Sequence, residues 1–518
     1  MKEPKPNIAD RLVAWINPVA GARRKIARNF MAMGGGYTGA DRTRRANQQG
    51  WRRELSADDA IMPDLRSLRE ESQHMARNNA LAIGAIKTNV TKVIGTGLSV
   101  RPVIDRDHLG LSQEQADAWE KAARREFNLA ADSRDLDWER QQDFYGIQSL
   151  VFGRMLEDGD IFVNLPRLAR RGQIYSLRLQ LIEAARVCNP NMAADNENMA
   201  GGVERDAAGI PVRVWVLNRH PGAWRLSPAG KADWKWQGID LFDRSGNPAC
   251  LHIFEVSRPG QSRGVPYLAP VIELIKQLGR YTDAEVMAAV VSGMFTVFIT
   301  NDQGSPAFGP APTAMNPDGS PGGQNDPTGL ELGYGSVVGL LPGEQISTAT
   351  PGRPNTAYDT FVLAILRSIG MALELPLEVL TKHFTSSYSA ARAALEEASD
   401  YFMRRRALLV SGFCQPVYEA IISEAVARGR LAAPGFFTDA ATRKAWLGSQ
   451  WIGDAQASLD PLKEINAAKA RIDLGISTRE EERNRLLGQD WEPILPQIMK
   501  EREIFAPPTP PKNGEDER

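Results

Sequence analysis

Apolar residues recur at intervals of three and four over two long stretches in the second half of the chain. Residues 264–294 keep this spacing for roughly six turns or more, and residues 356–373 repeat it. Such spacing predicts amphipathic helices. Between them, residues 295–300 alternate in the manner of a strand, and a returning strand is predicted at 334–341. The pattern therefore predicts a helical hairpin with a small β structure at its tip.

The segment between the two predicted strands has a different composition. Residues 303–329 contain six glycines and six prolines, which are too many for a packed helix or strand. Loops of this length are uncommon in compact domains unless they have a function. We therefore predict a projecting, flexible loop at this position.

The first half of the chain mixes both periodicities. Helical spacing and strand-like alternation succeed one another, with helices predicted at 59–95, 112–131 and 144–156 and strands at 98–104, 160–165, 177–182, 212–217 and 251–255. This mixture predicts an α+β fold. Because 518 residues exceed what one simple core usually supports, several subdomains are expected.

Residues 374–406 combine a short apolar turn, a polar loop and a long alanine-rich helix. The loop covers 380–388, and its polar side chains include those of Lys382, His383, Thr385, Ser386 and Ser387. The helix is predicted to begin near 386–389, where serines are good N-cap residues. Arg404–Arg406 are expected in its last turn, where cations interact favourably with the helix dipole.

Charge is almost balanced over the whole chain, at −1, but it is unevenly distributed. Residues 1–53 contain twelve Lys or Arg against three acids, so we predict a basic, flexible arm over 1–58. Such an arm either contacts nucleic acid or an acidic partner, or serves only solubility and assembly. The charged N-terminus does not resemble a secretory signal, and no apolar run is long enough to cross a bilayer. We therefore expect no membrane association.

Catalytic and metal-binding patterns are weak. The GxSxG sequence around Ser262 has the form of a nucleophile elbow, but loop-type residues precede it where a buried strand is required. No Walker A, HExxH or CxxC motif occurs, the five histidines are scattered, and the three cysteines are far apart. We therefore predict no enzymatic activity, no cofactor, no metal site and no disulfide.

Four tryptophans between 215 and 236 are interspersed with arginines and lysines. Aromatic and cationic side chains together can stack on nucleic-acid bases. The same composition also occurs at an interface or at the edge of a β-rich core, and the alternation at 234–236 favours that structural interpretation.

Several short segments occur in an order that resembles a known family. Arg-Asn-Asn at 77–79 precedes an Ala/Ile helix, and Ser257–Pro266 precedes the first long amphipathic helix. Further matches are ELPLEVL at 374–380, SYSAARA at 387–393, WIG at 451–453, DPLKE at 460–464 and LGIST at 474–478. In this order and combination they resemble the lambda-type portal proteins of tailed phages, while the two ends and the loop 303–329 depart from that pattern.

The resemblance implies a ring, typically of twelve subunits, at one vertex of the capsid, assembled in the host cytoplasm. Double-stranded DNA would pass non-specifically through its centre during packaging and ejection. The partners it implies are the terminase large subunit, head-completion or connector proteins, and the major capsid and scaffold proteins.

The resemblance also divides the chain into parts. After the arm at 1–58 these are a wing at 59–263, a first stem helix at 264–294, a clip at 295–355, a second stem helix at 356–373, a tunnel loop at 374–388, a tunnel-lining helix region at 389–430, a wing return at 431–473, and a crown with a disordered tail at 474–518. The clip would project outward and meet the terminase.

A channel for moving DNA requires weak contacts, because each neutralised phosphate adds affinity. Lys382 and His383 would attract phosphates to a limited extent, and the hydroxyls of Thr385, Ser386 and Ser387 would form rapidly exchanging hydrogen bonds.

On the helix, Arg392, Glu396 and Asp400 are spaced at i, i+4 and i+8, so they would pair along the helix or between subunits. Two alternatives stay open: a non-ring nucleic-acid-binding protein, and a serine hydrolase that uses Ser262.

Overall fold

The elements of the chain are taken from a computed structural model. It describes residues 54–223, 233–293, 297–301, 344–348, 357–384, 388–455, 460–491 and 494–505. The predicted loop 303–329 and the predicted strand 334–341 lie outside these ranges, as does most of the predicted arm 1–58.

The helices are numbered in chain order. They are α1 (Ala57–Asn78), α2 (Ala80–Val93), α3 (Arg106–Leu109), α4 (Gln113–Ala131), α5 (Phe144–Asp158), α6 (Ile272–Gly293), α7 (Tyr358–Ala372), α8 (Leu377–Thr381), α9 (Tyr388–Leu409), α10 (Gln415–Ala427), α11 (Ala440–Trp446), α12 (Pro461–Asp473), α13 (Arg479–Leu487) and α14 (Leu495–Phe505).

The strands are short and antiparallel where they pair. They are β1 (Ser99–Pro102), β2 (Asp160–Asn164), β3 (Gln180–Glu183), β4 (Met199–Ala200), β5 (Val203–Arg205), β6 (Pro211–Leu217), β7 (Trp236–Asp240), β8 (Cys250–Phe254), β9 (Val297–Asn301), β10 (Glu344–Thr348) and β11 (Ser449–Ile452). The predicted α+β class is confirmed.

The long helix predicted at 59–95 is two helices, so that prediction was wrong at its centre. Asn79 leaves the helical region, with φ of −117° and ψ of 120°. Its side chain then accepts a hydrogen bond from the backbone N–H of Ala82 at 3.0 Å and caps α2. The apolar spacing continues across the break, which is why periodicity alone did not detect it.

The predicted helix at 112–131 is confirmed as α4, which begins with a capping box. The Ser112 hydroxyl accepts from the N–H of Gln115 at 3.2 Å, and the Gln115 side chain accepts from the N–H of Ser112 at 3.0 Å. These reciprocal bonds satisfy two backbone donors at the helix terminus.

Three small sheets organise the first half of the chain. Strand β2 lies between β3 and β8, and β4 to β7 form a meander. Strand β1 pairs with β11, so that Ser99 lies opposite Ile452. The last of these sheets joins two segments about 350 residues apart in sequence, a pairing that the alternation at 98–104 did not reveal.

The main core joins the first half of the chain to residues 409–447. Phe144 of α5 stacks on Phe413 with ring centroids 5.6 Å apart, and Phe127 of α4 lies 5.6 Å from Tyr418 of α10. All four rings are fully buried. Burying a large apolar side chain contributes about 1.5–3 kcal/mol, so this aromatic cluster holds α4, α5 and α10 together.

The predicted hairpin of helices is present as α6 and α7. Tyr281 of α6 stacks on Tyr358 of α7 with ring centroids 5.6 Å apart. Strand β9 pairs with β10, with Val297 opposite Thr348. The strand that pairs with β9 lies at 344–348, whereas the strand predicted at 334–341 lies outside the described residues.

Candidate functional site on the long helix and the loop before it

The polar loop is shorter than the sequence predicted. Residues 377–381 form the short helix α8, and its Val379 and Leu380 are buried in the core. Lys382 ends this helix with a φ of 55°, in the left-handed region. Leu380 therefore belongs to the core rather than to the loop, which begins at Lys382.

Three described side chains at the start of this loop are exposed. Lys382 and His383 are exposed, and Phe384 is 53% exposed beside them. The sequence interpretation passed over Phe384. The predicted contacts Thr385, Ser386 and Ser387 lie outside the described residues, so their predicted role stays a prediction.

Helix α9 follows the loop and packs through a narrow strip of its surface. Ala391, Ala398 and Phe402 are buried along this strip, at helical spacing. The small side chains at 391 and 398 allow neighbouring elements to approach the helix closely. The rest of the surface of α9 is available for polar side chains.

Arg392, Glu396 and Asp400 lie on that remaining surface. Arg392 Nε donates to Glu396 Oε1 at 2.9 Å, and both side chains are more than half exposed. This is the pairing along the helix that the spacing predicted. Because the pair is exposed, it contributes only about 0.3–0.5 kcal/mol to helix stability. Asp400 is also exposed and lies one turn further along the helix.

A cleft of about 1110 Å³ separates this face of α9 from the C-terminal helices. Its walls include Arg392, Glu396 and Asp400 on α9, and residues of α12 and α13. Charges of both signs line it, so it offers no strong preference for an anion or a cation. The structure thus brings the three predicted helix residues to one wall of this cleft. Lys382 and His383 are not among the residues that line it.

The three arginines near the end of α9 hold other elements in place. Arg406 donates to the carbonyls of Val93, at 2.8 Å, and Lys92, at 3.3 Å. Those carbonyls lie at the C-terminal end of α2, so the cation stabilises the end of that helix rather than its own. Helix α9 itself passes through a π-turn at Val410–Cys414 into α10.

The other two arginines pair with acids of neighbouring segments. Arg405 Nη2 lies 3.0 Å from Glu255 Oε2, and its guanidinium lies over the ring of Tyr267 at 5.0 Å. Arg404 Nη2 lies 2.6 Å from Glu374 Oε2. These contacts fix the C-terminal half of α9, whereas its N-terminal half adjoins the exposed loop.

Ser262 has no elbow geometry. Strand β8 ends at Phe254, and the next helical turn begins at Ala269, so neither a strand nor a helix adjoins the serine. Ser262 is 2% exposed, and its hydroxyl accepts from Arg205 Nη2 at 2.8 Å. His252 Nε2 instead donates to the carboxylate of Asp160, at 3.1 Å. These contacts favour a structural role for the segment.

The neighbouring Arg263 is the centre of a buried network that sequence reasoning missed. Its guanidinium donates to Asp160 and also to the carbonyls of Val187 and Ala184, both at 2.8 Å. Arg69 of α1 donates to the same carboxylate at 2.8 Å. A Gly-rich loop with an arginine gave no signal for this role, because its partners are remote in sequence.

Electrostatics in this network follow from burial and pairing. Burial by itself raises the pKa of Asp160, but the charges of Arg263 and Arg69 outweigh it and hold that pKa well below its usual range. Burial lowers the pKa of Arg69 to about 10. Burial also lowers the pKa of His252. The hydrogen bond to Asp160 raises that pKa but compensates for burial only in part.

The tryptophan segment is used internally where the structure describes it. Trp215 Nε1 donates to Glu204 at 2.9 Å, and Trp236 Nε1 donates to Cys188 Sγ at 3.4 Å. Arg213 pairs with Asp240 at 2.7 Å. These bonds support the structural interpretation of this segment, although Trp224 and the cations at 225 and 231 lie outside the described residues.

Metal ligands and membrane spans were sought over the described ranges. No group of three or more His, Cys, Asp or Glu side chains there is placed to hold a metal ion. Within those same ranges, no helix combines the length and the apolar character that crossing a membrane requires. Cys188, Cys250 and Cys414 are free thiols, and burial raises the pKa of Cys250 to about 12.

An apolar surface is exposed on the helical hairpin. On α6, Val286 is 59% exposed, Met287 64% and Val290 50%, and on α7 Phe361 is 50% exposed. Scattered apolar side chains are normal on a surface, but a group of large ones on adjacent turns indicates an interaction site.

Comparison with known proteins gives consistent matches over most of the chain. Residues 44–406 match the family model described as phage portal protein, lambda family. Portal protein B of Escherichia phage lambda is 26% identical over 464 residues, covering 86% of this chain and 85% of the relative. The portal protein of Escherichia phage N15 is 26% identical over 463 residues, covering 86% of each chain.

Among solved structures, the neck of an empty gene transfer agent particle, computed with C6 symmetry, contains a similar chain. It is 12% identical with a TM-score of 0.41, and the match covers 83% of this chain and 98% of that one.

Proposed function

The chain belongs to the lambda family of phage portal proteins, and we propose that twelve copies form a closed ring at one capsid vertex. Double-stranded DNA would pass through this ring during packaging and ejection. The ring would assemble in the host cytoplasm and become part of the virion.

The exposed apolar surface of the hairpin is the observation that carries this proposal. A ring closes through heterologous contacts, so each subunit must present one surface to each neighbour. Val286, Met287 and Val290 of α6 supply apolar area that the isolated chain leaves in water. Covering this area by a neighbouring α6–α7 hairpin would stabilise the ring by about 25 cal/mol for each Å² buried.

The described residues suit the assignment of parts that the resemblance implies. We assign the mixed α+β region 59–263 to the wing, α6 and α7 to the stem, and the β9–β10 pair to the clip. Residues 431–473 return to the wing: Trp119 Nε1 of α4 donates to the carbonyl of Ala432 at 3.0 Å. The crown would begin at 474, and the basic arm would contact nucleic acid or an acidic partner.

The loop that begins at Lys382 would face the channel. Its exposed cation and imidazole offer limited attraction to phosphates, which suits a duplex that must slide rather than remain bound. The ion pair between Arg392 and Glu396 is already formed within one chain, so α9 would add little net charge to the channel wall.

The clip would project from the ring and dock the terminase large subunit during packaging, and head-completion or connector proteins afterwards. The wing would contact the major capsid and scaffold proteins. No covalent chemistry is required of the portal in either role.

Mass photometry with negative-stain imaging of the purified full-length chain tests the proposal. We expect closed rings with a central hole near 680 kDa, about twelve times the 57.0 kDa mass of one chain. A uniform monomer or dimer at all salt and protein concentrations would contradict the ring. Steep salt-dependent DNA binding by that monomer would then support a non-ring nucleic-acid-binding protein.

A further inference from the structure

The hairpin formed by residues 166–178 projects an excess of positive charge. Arg170 and Gln173 close its tip, where the N–H of Gln173 donates to the carbonyl of Arg170 at 3.2 Å. Gly172 takes a φ of 82° in this turn, a conformation that glycine adopts without strain. Arg170, Arg171 and Arg178 form no ion pair with any carboxylate among the described residues.

Three acids near this hairpin already have cationic partners. Their pairs, by nearest N–O distance, are Asp135 with Arg140 at 3.6 Å, Glu424 with Arg428 at 2.6 Å and Glu126 with Arg430 at 2.6 Å. Arg170, Arg171 and Arg178 therefore add positive charge that these three acids do not pair with.

Arg178 places one of these positive charges in the protein interior, where an unpaired charge is unfavourable. The residue is 2% exposed, and its Nη1 donates to the carbonyls of Tyr175, at 2.9 Å, and Leu177, at 2.6 Å. Its Nε, together with Nη1 of Arg170, is buried without an acceptor among the described residues. Burial and repulsion from Arg170 lower the pKa of Arg178, and attraction to Asp135 and Glu424 offsets this only in part. An external carboxylate near the tip would therefore be stabilising.

Large apolar side chains flank the same tip. Leu168 and Ile174 are each 40% exposed, and Trp138 lies beneath the guanidinium of Arg170 at 6.0 Å. Arginine and tryptophan beside apolar side chains are typical of protein interfaces. A DNA backbone would leave these apolar side chains in water, so the composition favours a protein segment with a carboxylate beside apolar residues.

The chain itself carries such a segment in the turn between α12 and α13. Leu474 is 74% exposed and Ile476 69%, and the adjacent Asp473 is also exposed. The guanidinium of Arg471 donates to the carboxylate of Glu482, with Nε to Oε1 at 2.6 Å. This pair joins the two helices, so the turn is held in place before any partner binds.

The hairpin and the segment that follows α13 contact different faces of α4. Arg124 of α4 pairs with Asp490, just after α13, whereas Glu126 binds Tyr175 of the hairpin at 2.6 Å. Residues two positions apart on a helix point about 200° apart. One face of α4 is therefore turned to the C-terminal helices and the opposite face to the hairpin, as a heterologous contact between copies requires.

We propose that the hairpin tip at 168–174 of one subunit receives the turn 473–476 of a neighbouring copy of this chain. Asp473 supplies the carboxylate to Arg170 and Arg171, while Leu474 and Ile476 cover Leu168 and Ile174. The contact rests on the proposed ring and is separate from the stem surface of α6 and α7.

Crosslinking tests the contact directly. Full-length chain with both Ile174→Cys and Ile476→Cys is treated with a short bismaleimide, and products are separated by denaturing gel electrophoresis. We expect a ladder of crosslinked bands whose masses differ by the mass of one chain. Each single-cysteine variant is the control, because Cys188 is half-buried and Cys250 and Cys414 are buried.

Charge reversal tests how much the contact between Asp473 and Arg171 contributes to assembly. Arg171→Asp and Asp473→Arg should each raise the protein concentration at half assembly about fivefold, and the double variant should restore it to within about twofold. The exposed Lys87 on α2 provides the matched control, Lys87→Asp, which should leave assembly unchanged.

The outcomes separate this contact from the ring itself. If wild-type chain forms rings but the double-cysteine variant gives only monomers, crosslinked within one chain or not at all, the contact is wrong and the ring stands. If reversal of both charges fails to restore assembly, the pairing is also wrong. Absence of rings in the wild-type chain overturns both proposals.

Discussion

Arg263 donates to both carboxylate oxygens of Asp160, at 2.6 and 3.1 Å, and neither side chain is more than 1% exposed. The backbone N–H of Gly264 also donates to this carboxylate, at 3.1 Å. This network joins β2 to the loop that leads into α6 and, through Arg69, to α1. It therefore connects the proposed wing to the proposed stem.

Breaking this ion pair should destabilise the fold strongly. Asp160→Asn leaves two buried guanidinium groups without their counter-charge, so we expect the free energy of unfolding to fall by about 3–5 kcal/mol. Urea denaturation followed by tryptophan fluorescence measures the change. Ser262→Ala is the control, since it removes a hydroxyl acceptor and should cost only about 0.5–1.5 kcal/mol. Equal losses in the two variants would contradict the central role of Asp160.

His252 should make stability depend on pH between about 7 and 5. Burial lowers the pKa of His252 below its ordinary value of 6.5, so the folded chain resists a proton that the unfolded chain accepts. Its contribution to stability is present above pH 6.5 and is lost as pH falls below that value. Asp160 cannot cause this decline, because its lowered pKa keeps it charged until well below pH 3.8.

Thermal unfolding over that pH range checks the assignment. His252→Gln should flatten the decline in melting temperature between about pH 7 and 5, whereas His108→Gln, at an exposed position, should leave it unchanged. An unaltered decline in the His252 variant would assign the pH dependence to other groups.

Periodicity predicted α6, α7 and most of the first-half elements because each of them buries one face. It did not predict the break at Asn79, where a side-chain cap interrupts a continuing apolar pattern. It placed Leu380 in a polar loop, because one buried leucine beside polar residues has no detectable period. Asp160 and Arg263 were missed because their pairing depends on how distant segments meet.

Gly95 should tolerate no side chain. Its φ is 64°, and a Cβ there would lie 1.9 Å from Oδ2 of Asp454, which also accepts the N–H of Thr96 at 2.7 Å. Gly95→Ala should therefore lower the free energy of unfolding by at least about 1–2 kcal/mol. Gly84 inside α2 is the matched control, because a Cβ there meets nothing within 4 Å. Gly84→Ala should stabilise the chain by about 0.5–1 kcal/mol in the same urea titration.

A charge on the stem surface should prevent ring formation without unfolding the chain. Met287→Glu places a carboxylate where the proposed neighbour covers apolar area, so we expect mass photometry to show mainly monomers. Because Met287 is 64% exposed, the melting temperature of the monomer should change little. Ile210→Glu, on an exposed turn of the β4–β7 meander, is the control and should still form rings. Rings of normal stability in the Met287 variant would remove this surface from the interface.

The loop before α9 should be dispensable for assembly but required for DNA. Replacing residues 382–387 with a Gly-Ser segment of equal length removes Lys382, His383 and Phe384 and leaves the buried Leu380 in place. We expect normal rings in mass photometry but fewer DNA-filled particles when the variant complements a portal-deficient phage. Leu380→Ala should instead lower the free energy of unfolding by about 2–5 kcal/mol, because it opens a cavity in the core. Loss of rings in the loop replacement would place the loop in the subunit interface, and unchanged DNA content would remove it from the channel.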